Sequence, residues 1–380
     1  MKNVVALVAS TFVSAATISA INAQTADKWV VAEVAPLTGP AATVGTRLHN
    51  VAKMWADDVN MKGGIAGKHI QLITCNDEGK PEKAVACVRD AIRQGAVLFL
   101  GHSLTASINA MQSALASGPV MIVASPNIVP AASSFSFQTS PSDYHITLVL
   151  ADYMHVNKVD KLGMVAATDA SGEVGVASAQ DVLGKRGLGL KLQRIDLKAN
   201  DASVQLAAVA GDDVKLVYSS YSGGAAATVV KSFVNLGLTQ PLIVSYANVS
   251  APFVNVVKGV MPRRLLGTAI KALVPETLGD EVLAKHSRDF VSEYRAKFGE
   301  PADMINLLGK MDVDVAEAVL ANVKDPSDAQ AVKGFLEKTP IESVQRIKFT
   351  ADSHVGLTEK DVAIVEYKDG AWLNADPVSR

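Results

Sequence analysis

Short apolar runs alternate along the chain with longer stretches in which apolar side chains recur every three or four positions. WVVAEVAPLTG precedes NVAKMWADDVNMKG, IQLITCND precedes PEKAVACVRDAIRQG, AVLFLGH precedes ASINAMQSALASG, and VMIVASP closes the series. That alternation predicts βα units winding a parallel sheet with helices on both faces. A second series opens at Lys161, with KLGMVAATD before GVASAQDVLGKRG, LKLQRIDLK before SVQLAAVAG, VKLVYSSYS before AATVVKSFVNLG, and QPLIVSYAN before APFVNVVKGV. The fold class is therefore α/β, two doubly wound parallel-sheet lobes in tandem, joined near the helical run at 144–157. Three helical stretches then follow one another, DEVLAKHSRDFVSEYRAKFG, INLLGKMDVDVAEAVLANVK and AQAVKGFLEK, before the strand-like IKFTAD and VAIVEYKDGAWL. Helices in a row have no sheet of their own to cover, so they are expected to pack back on the first lobe. The chain then crosses between the lobes more than once.

Composition narrows what such lobes can do. The 380 residues are 49% hydrophobic and 19% charged, enough apolar material for two cores. With 36 basic against 38 acidic side chains and 5% aromatics, there is neither the charge nor the stacking surface for a nucleic-acid partner. Residues 1–23, MKNVVALVASTFVSAATISAINA, carry an early lysine, an apolar run and small residues before Gln24, the pattern of a signal peptide for export to the periplasm. The two cysteines suit export. Cys75 ends a predicted strand and Cys87 lies on a predicted helix, a reach that a disulfide can bridge, the alternative being two unpaired core thiols. Two thiols without a nearby histidine make a metal site a poor reading, and no cofactor is expected.

In open α/β sheets ligands sit beyond the carboxyl ends of the strands. Those ends read APLTGPAATVG (35–45), GHSLTA (101–106) and SPNIV (125–129) in the first lobe, and TDASGE (168–173), SSYSGG (219–224) and SYAN (245–248) in the second. Nearly all of these residues are small, hydroxylic or glycine, a composition that brings backbone N–H groups and hydroxyls close to an anionic group. Catalytic patterns fail at the same places. GHSLT has the first glycine and the serine of a hydrolase elbow but ends in Thr105, and His102 is sequence-adjacent to Ser103 rather than delivered from elsewhere. GGIAGK lacks the first glycine and final hydroxyl of a phosphate loop, and no G-x-G-x-x-G follows the first strand. Ser103 and Thr105 also have a plainer use as caps of the following helix, as has Asp169.

The ordered set PLTGPAATVG, NVAKMWADDVNMKGGIAGKHIQLITCND, PEKAVACVRDAI, FLGHSLTAS, IVASPN, FQTSPSDY and VVKSFVNLGL resembles the periplasmic leucine/isoleucine/valine-type (type I) solute-binding proteins of ABC transporters. The resemblance runs from Trp29 to the end. It implies a non-enzymatic, monomeric, two-lobed protein with a three-crossover hinge, which closes on a small carboxylate or amino-acid-like ligand and delivers it to membrane permease subunits. A ligand-sensing receptor subunit without transport is the alternative, with an enzyme ranked third. It also implies non-contiguous lobes, residues 27–146 with about 275–351 and residues 147–274 with about 352–380. By position, Thr105 resembles the hydroxyl that holds the ligand carboxylate, with Ser103, Ser125 and Asn127 beside it. Ser171 falls where an aromatic side chain commonly caps the ligand. Gly223 and Tyr246 fall where leucine-type binders carry an aromatic and an acidic residue. An ammonium group is costly to bury without an acid, so the loss of that acid at Tyr246 predicts a carboxylate ligand lacking an α-ammonium.

Overall fold

The computed structural model describes residues 28–221 and 224–375. The expected signal peptide at 1–23 and Gly223 lie outside the described residues. The first lobe runs β1 (Lys28–Ala35), α1 (Ala42–Met61), β2 (His69–Asn76), α2 (Pro81–Arg93), β3 (Leu98–Leu100), α3 (Thr105–Ala114), β4 (Val120–Val123) and β5 (Ser136–Gln138). All five strands are parallel, in the order β2-β1-β3-β4-β5. β5 extends the first series beyond VMIVASP. Its three residues, SFQ, are too few and too polar to announce a strand, and pairing to β4 decides it.

The second lobe runs α4 (Asp143–Val156), β6 (Lys161–Ala167), α5 (Ala170–Lys185), β7 (Gly189–Ile195), α6 (Ser203–Val209), β8 (Leu216–Ser220), α7 (Gly224–Asn235), β9 (Leu242–Val244), α8 (Ala251–Val257) and β10 (Leu265–Ile270). α9 (Glu281–Phe298), α10 (Met304–Asn322) and α11 (Ala329–Leu336) follow, then the short pair β11 (Ile341–Glu342) and β12 (Arg346–Ile347), and finally β13 (Val362–Lys368) and β14 (Ala371–Asn374). The second sheet has the order β14-β13-β10-β9-β8-β6-β7. It is parallel from β7 to β10, but β13 joins β10 antiparallel and turns back as a hairpin into β14, so this sheet is mixed. A hairpin needs only a tight turn, whereas another parallel strand would need a crossover helix.

Period-two alternation sorts each strand between two helical layers. Val31 of β1 faces α1 and α10, while Ala32 and Val34 face α2 and α3. In β6, Met164 and Ala166 face α4 and α5, while Val165 and Ala167 face α6 to α8. α10 packs along α1, where Trp55 Nε1 donates to Glu317 at 2.9 Å and Arg47 pairs with Asp303 at 3.2 Å. The helical tail thus completes the first lobe.

Three chain passages link the sheets, from β5 to α4, from β10 to α9, and from β12 to β13. Two are bonded to one another, since Gln138 N donates to His354 O and Gly356 N donates to Gln138 O, each at 2.8 Å. Beside them Thr139 Oγ1 donates to the buried Asp312 of α10. Burial pushes the Asp312 carboxyl up to about 7, against the opposing hydrogen bond from Thr139. Cys75 of β2 and Cys87 of α2 are joined by a disulfide with Cα atoms 5.9 Å apart.

Candidate functional site

The loop between β3 and α3 is held from beneath by charge. Asp77, His102 and Ser107 are all fully buried. Asp77 Oδ2 lies 2.8 Å from His102 Nε2 and accepts from Ser107 Oγ at 3.0 Å, while Oδ1 accepts from Gly79 N at 2.9 Å. The other ring nitrogen, Nδ1, accepts from Leu104 N at 2.9 Å, which fixes the ring proton on Nε2. Burial raises the Asp77 carboxyl, but the hydrogen bonds from His102, Gly79 and Ser107 outweigh it and hold the group below its ordinary range. Both nitrogens of His102 are committed, so it is no base for Ser103. Gly101 makes the sharp exit possible, because a Cβ there would stand 2.2 Å from Val123 Cγ1 and 2.4 Å from Ile122 O.

This clamp presents hydroxyls that have nothing to bind. Ser103 Oγ and Thr105 Oγ1 are buried without a hydrogen-bond partner, and Ser125 Oγ, which makes no well-formed hydrogen bond, faces the Tyr246 phenol. The capping alternative fails for the first two, since Leu104 occupies the N-cap of α3 and no side chain caps it. Each orphaned hydroxyl forfeits about 1–3 kcal/mol unless something fills the space.

The facing loops of the second lobe differ in kind. Asp169 does cap α5, accepting from Gly172 N at 2.9 Å, and Ser171 Oγ donates to the same oxygen at 2.7 Å. Ser171 is therefore already engaged. At the end of β8, Ser219 Oγ is another buried hydroxyl without a partner. Tyr246 begins the short helical turn after β9 and packs against the core of the first lobe, so it spans the junction. Arg264 stays away from the strand-end loops, donating from Nε to Glu366 Oε1 at 2.9 Å and from Nη2 to Oε2 at 2.8 Å.

One further group was not a sequence candidate. Asp143, first residue of α4, is buried between the lobes, where its Oδ2 accepts from Asn127 Nδ2. Burial pushes its carboxyl up to about 7, with Asn127 opposing. Its charge in turn adds to burial in raising the phenols of Tyr218 and Tyr246, so the acid, both tyrosines, Ser125 and Asn127 share one neighbourhood. The sequence signal was slight: an acid directly after a Ser-Pro-Ser turn reads as an ordinary first-turn residue.

Other concavities lack these features. A groove of about 610 Å³ on the outer face of the first lobe is acidic, but its Asp314 is already engaged by Lys310 and Ser343. Among the described residues no cluster of three or more His, Cys, Asp or Glu could hold a metal ion. No described helix is long and apolar enough to cross a membrane.

Two lobes hinged by three passages, with unpartnered hydroxyls at facing strand ends, define a two-lobed receptor for a small solute. The chain belongs to the periplasmic binding protein family, whose model matches residues 28–371. That family is non-catalytic, associated with transport, and placed on the periplasmic or extracellular side. A Leu/Ile/Val-binding protein of Rhizobium johnstonii is 28% identical over 132 residues, 34% of this chain and 36% of the relative, so the match spans about a third of that protein. A solved structure from Rhodopseudomonas palustris superposes with TM-score 0.82 at 20% identity, covering 92% of this chain and all of the other. An ABC transporter solute-binding protein of the same species, solved in complex with benzoate, gives TM-score 0.76 at 20% identity, covering 92% and 96%.

Proposed function

We propose that the chain is the solute-binding subunit of an ABC importer, which takes a small organic carboxylate between its lobes and presents it to permease subunits. The observation that carries this reading is the pair of buried, unpartnered hydroxyls of Ser103 and Thr105 at an uncapped helix N-terminus, with Ser125 Oγ beyond the end of the neighbouring strand β4. Open N–H groups and the positive end of the helix dipole favour an anion, and the hydroxyls donate to its oxygens. Ser219 supplies a matching hydroxyl from the second lobe, and Tyr246 closes the junction once the lobes approach. Ser171, tied to Asp169, forms the rim. Contacts made only when both lobes meet the ligand are what stabilise closure. The protein works as a monomer, with the lobes divided at the three passages.

The relatives' names bracket the ligand, one taking branched-chain amino acids and one crystallised with an acid that has no amine. Native mass spectrometry of protein purified from the periplasm identifies the co-purified molecule directly. Thr105→Ala removes one hydrogen bond to a charged group, about 1.5–3 kcal/mol, and should weaken calorimetric affinity about 10- to 150-fold while the apo fold persists. Unchanged affinity, or a co-purified ligand without any acidic group, contradicts the carboxylate reading.

A further inference from the structure

The hydroxyls of the first lobe account for one pole of a ligand, and a second pole lies a short way off at Asp143. This acid stands at the start of α4 with one oxygen engaged by Asn127. Among the described residues no Lys, Arg or His forms an ion pair with it. Gly175 lets α5 pack closely against it, since a Cβ there would come 2.7 Å from Ser220 Oγ and 3.7 Å from Asp143 Oδ2. The titratable groups that face it are the phenols of Tyr218 from β8 and Tyr246 from the turn after β9. On its own helix, His145 feels Glu359 and Asp361 of the third passage, and Tyr144 lies beneath Lys185 of α5. A buried carboxylate with one amide donor and no cation is an expensive thing to keep. Side chains of the protein do not compensate it, so it is held neutral by a proton unless a cation arrives with the ligand.

We propose that Asp143, positioned by Asn127, receives a positively charged nitrogen of the ligand, so that the cleft selects carboxylates that also carry an ammonium over carboxylates that do not. This rests on the carboxylate reading of the cleft and reverses the expectation drawn from Tyr246. The acid is present, but it is supplied by the hinge side of the cleft instead of the position after β9. The neutral alternative differs in sign. A protonated Asp143 could donate to an amine-free acid, and the two cases load opposite protonation states.

Proton linkage separates them. The Asp143 carboxyl sits at about 7 in the ligand-free protein. Capture of an ammonium needs the carboxylate form, so binding at pH 7 releases about half a proton, and affinity rises nearly tenfold between pH 5 and 6 and flattens above about 8. Capture of an amine-free acid needs the neutral form, so binding takes up a proton and affinity falls as pH rises through 7.

The experiment is titration calorimetry of the wild-type protein between pH 5 and 8, in phosphate and in Tris at overlapping pH. The probes are L-leucine, L-valine, L-phenylalanine and L-glutamate, set against 4-methylpentanoate, 3-phenylpropanoate and benzoate. We expect binding by at least one amino acid, with proton release, and at least 100-fold weaker binding by its amine-free counterpart. Asp143→Asn should abolish the proton release and weaken that amino acid by a similar factor, and the wild-type proton count stands even if the variant does not fold. Amine-free acids that bind as well or better, or proton uptake on binding, overturn the role of Asp143 and leave the carboxylate reading intact. No binding by either set at millimolar concentration overturns both.

Discussion

Replacing Asp312 by Asn should stabilise the protein, and only at high pH. The Asp312 carboxyl is buried on α10 against Thr139, and burial raises it to about 7 from an ordinary 3.8. The folded state then holds a proton that the unfolded chain gives up near pH 4, so stability falls as pH climbs from about 4 to 7. A shift of a little over three units, at about 1.36 kcal/mol per unit, sets a ceiling of about 4 kcal/mol on the penalty at pH 8. Asn keeps the oxygen that accepts from Thr139 Oγ1 and carries no charge, so it removes the penalty without removing the bond. Unfolding entropy of about 2.1 cal/mol/K per residue gives about 0.8 kcal/mol/K for a chain of this length, so the ceiling corresponds to about 5 °C. The assay is thermal unfolding of the ligand-free protein at pH 4.5 and pH 8. Asp143 and Asp303 are also raised by burial, to about 7 and about 6, and burial raises Asp314 too, so the wild-type profile combines four acids and the variant-minus-wild-type difference isolates one. An equal gain at both pH values, or a loss at pH 8, would refute the claim that ionisation of this buried acid strains the fold.

Two further outcomes follow from packing and chain connectivity. Gly101→Ala should cost several kcal/mol or abolish soluble expression, because the added methyl meets the main chain of β4 at Ile122 O and the side chain of Val123. Circular dichroism and soluble yield report it, and a variant as stable as wild type would show that β3 and β4 can separate there freely. Replacing Cys75 and Cys87 by Ser opens a link across a separation of 12 residues, so denaturant unfolding should show a loss of about 2–3 kcal/mol in the first lobe. Thiol titration of the denatured, unreduced protein should find no free thiol in the parent.

The sequence disclosed the alternation of strands and helices because parallel strands are buried on both faces and so read as continuous apolar runs. Leu98 to Leu100 and Val120 to Val123 are wholly buried. It disclosed less where an element is short or its neighbours are distant. The SFQ of β5 lacks any period, and the six buried residues of β10, which follow directly on the charged pair Arg263 and Arg264, are not among the strands that the alternation announces. In the same way only the first residue of IKFTAD lies in a strand, because Ile347 and the preceding Arg346 pair with β11 and the residues after them do not.

The cleft shows the same division more sharply. Ser103, Thr105 and Ser125 were legible since each lies within a few residues of a strand end, and strand ends of one parallel sheet converge on one edge whatever the tertiary details. Asp143 was not legible. Its surroundings come from Asn127 after β4, Gly175 on α5, Tyr218 on β8 and Tyr246 after β9, and no linear spacing relates these positions. Matching Tyr246 against the acidic position of leucine-type binders weighs one position only, and the acid nearest that phenol, Asp143, belongs to a different element. What fixes ligand charge is the balance of donors and acceptors inside the closed volume, and a carboxylate contributed from the hinge side neutralises an ammonium as well as one contributed from a strand end, provided both reach the same few ångströms of space.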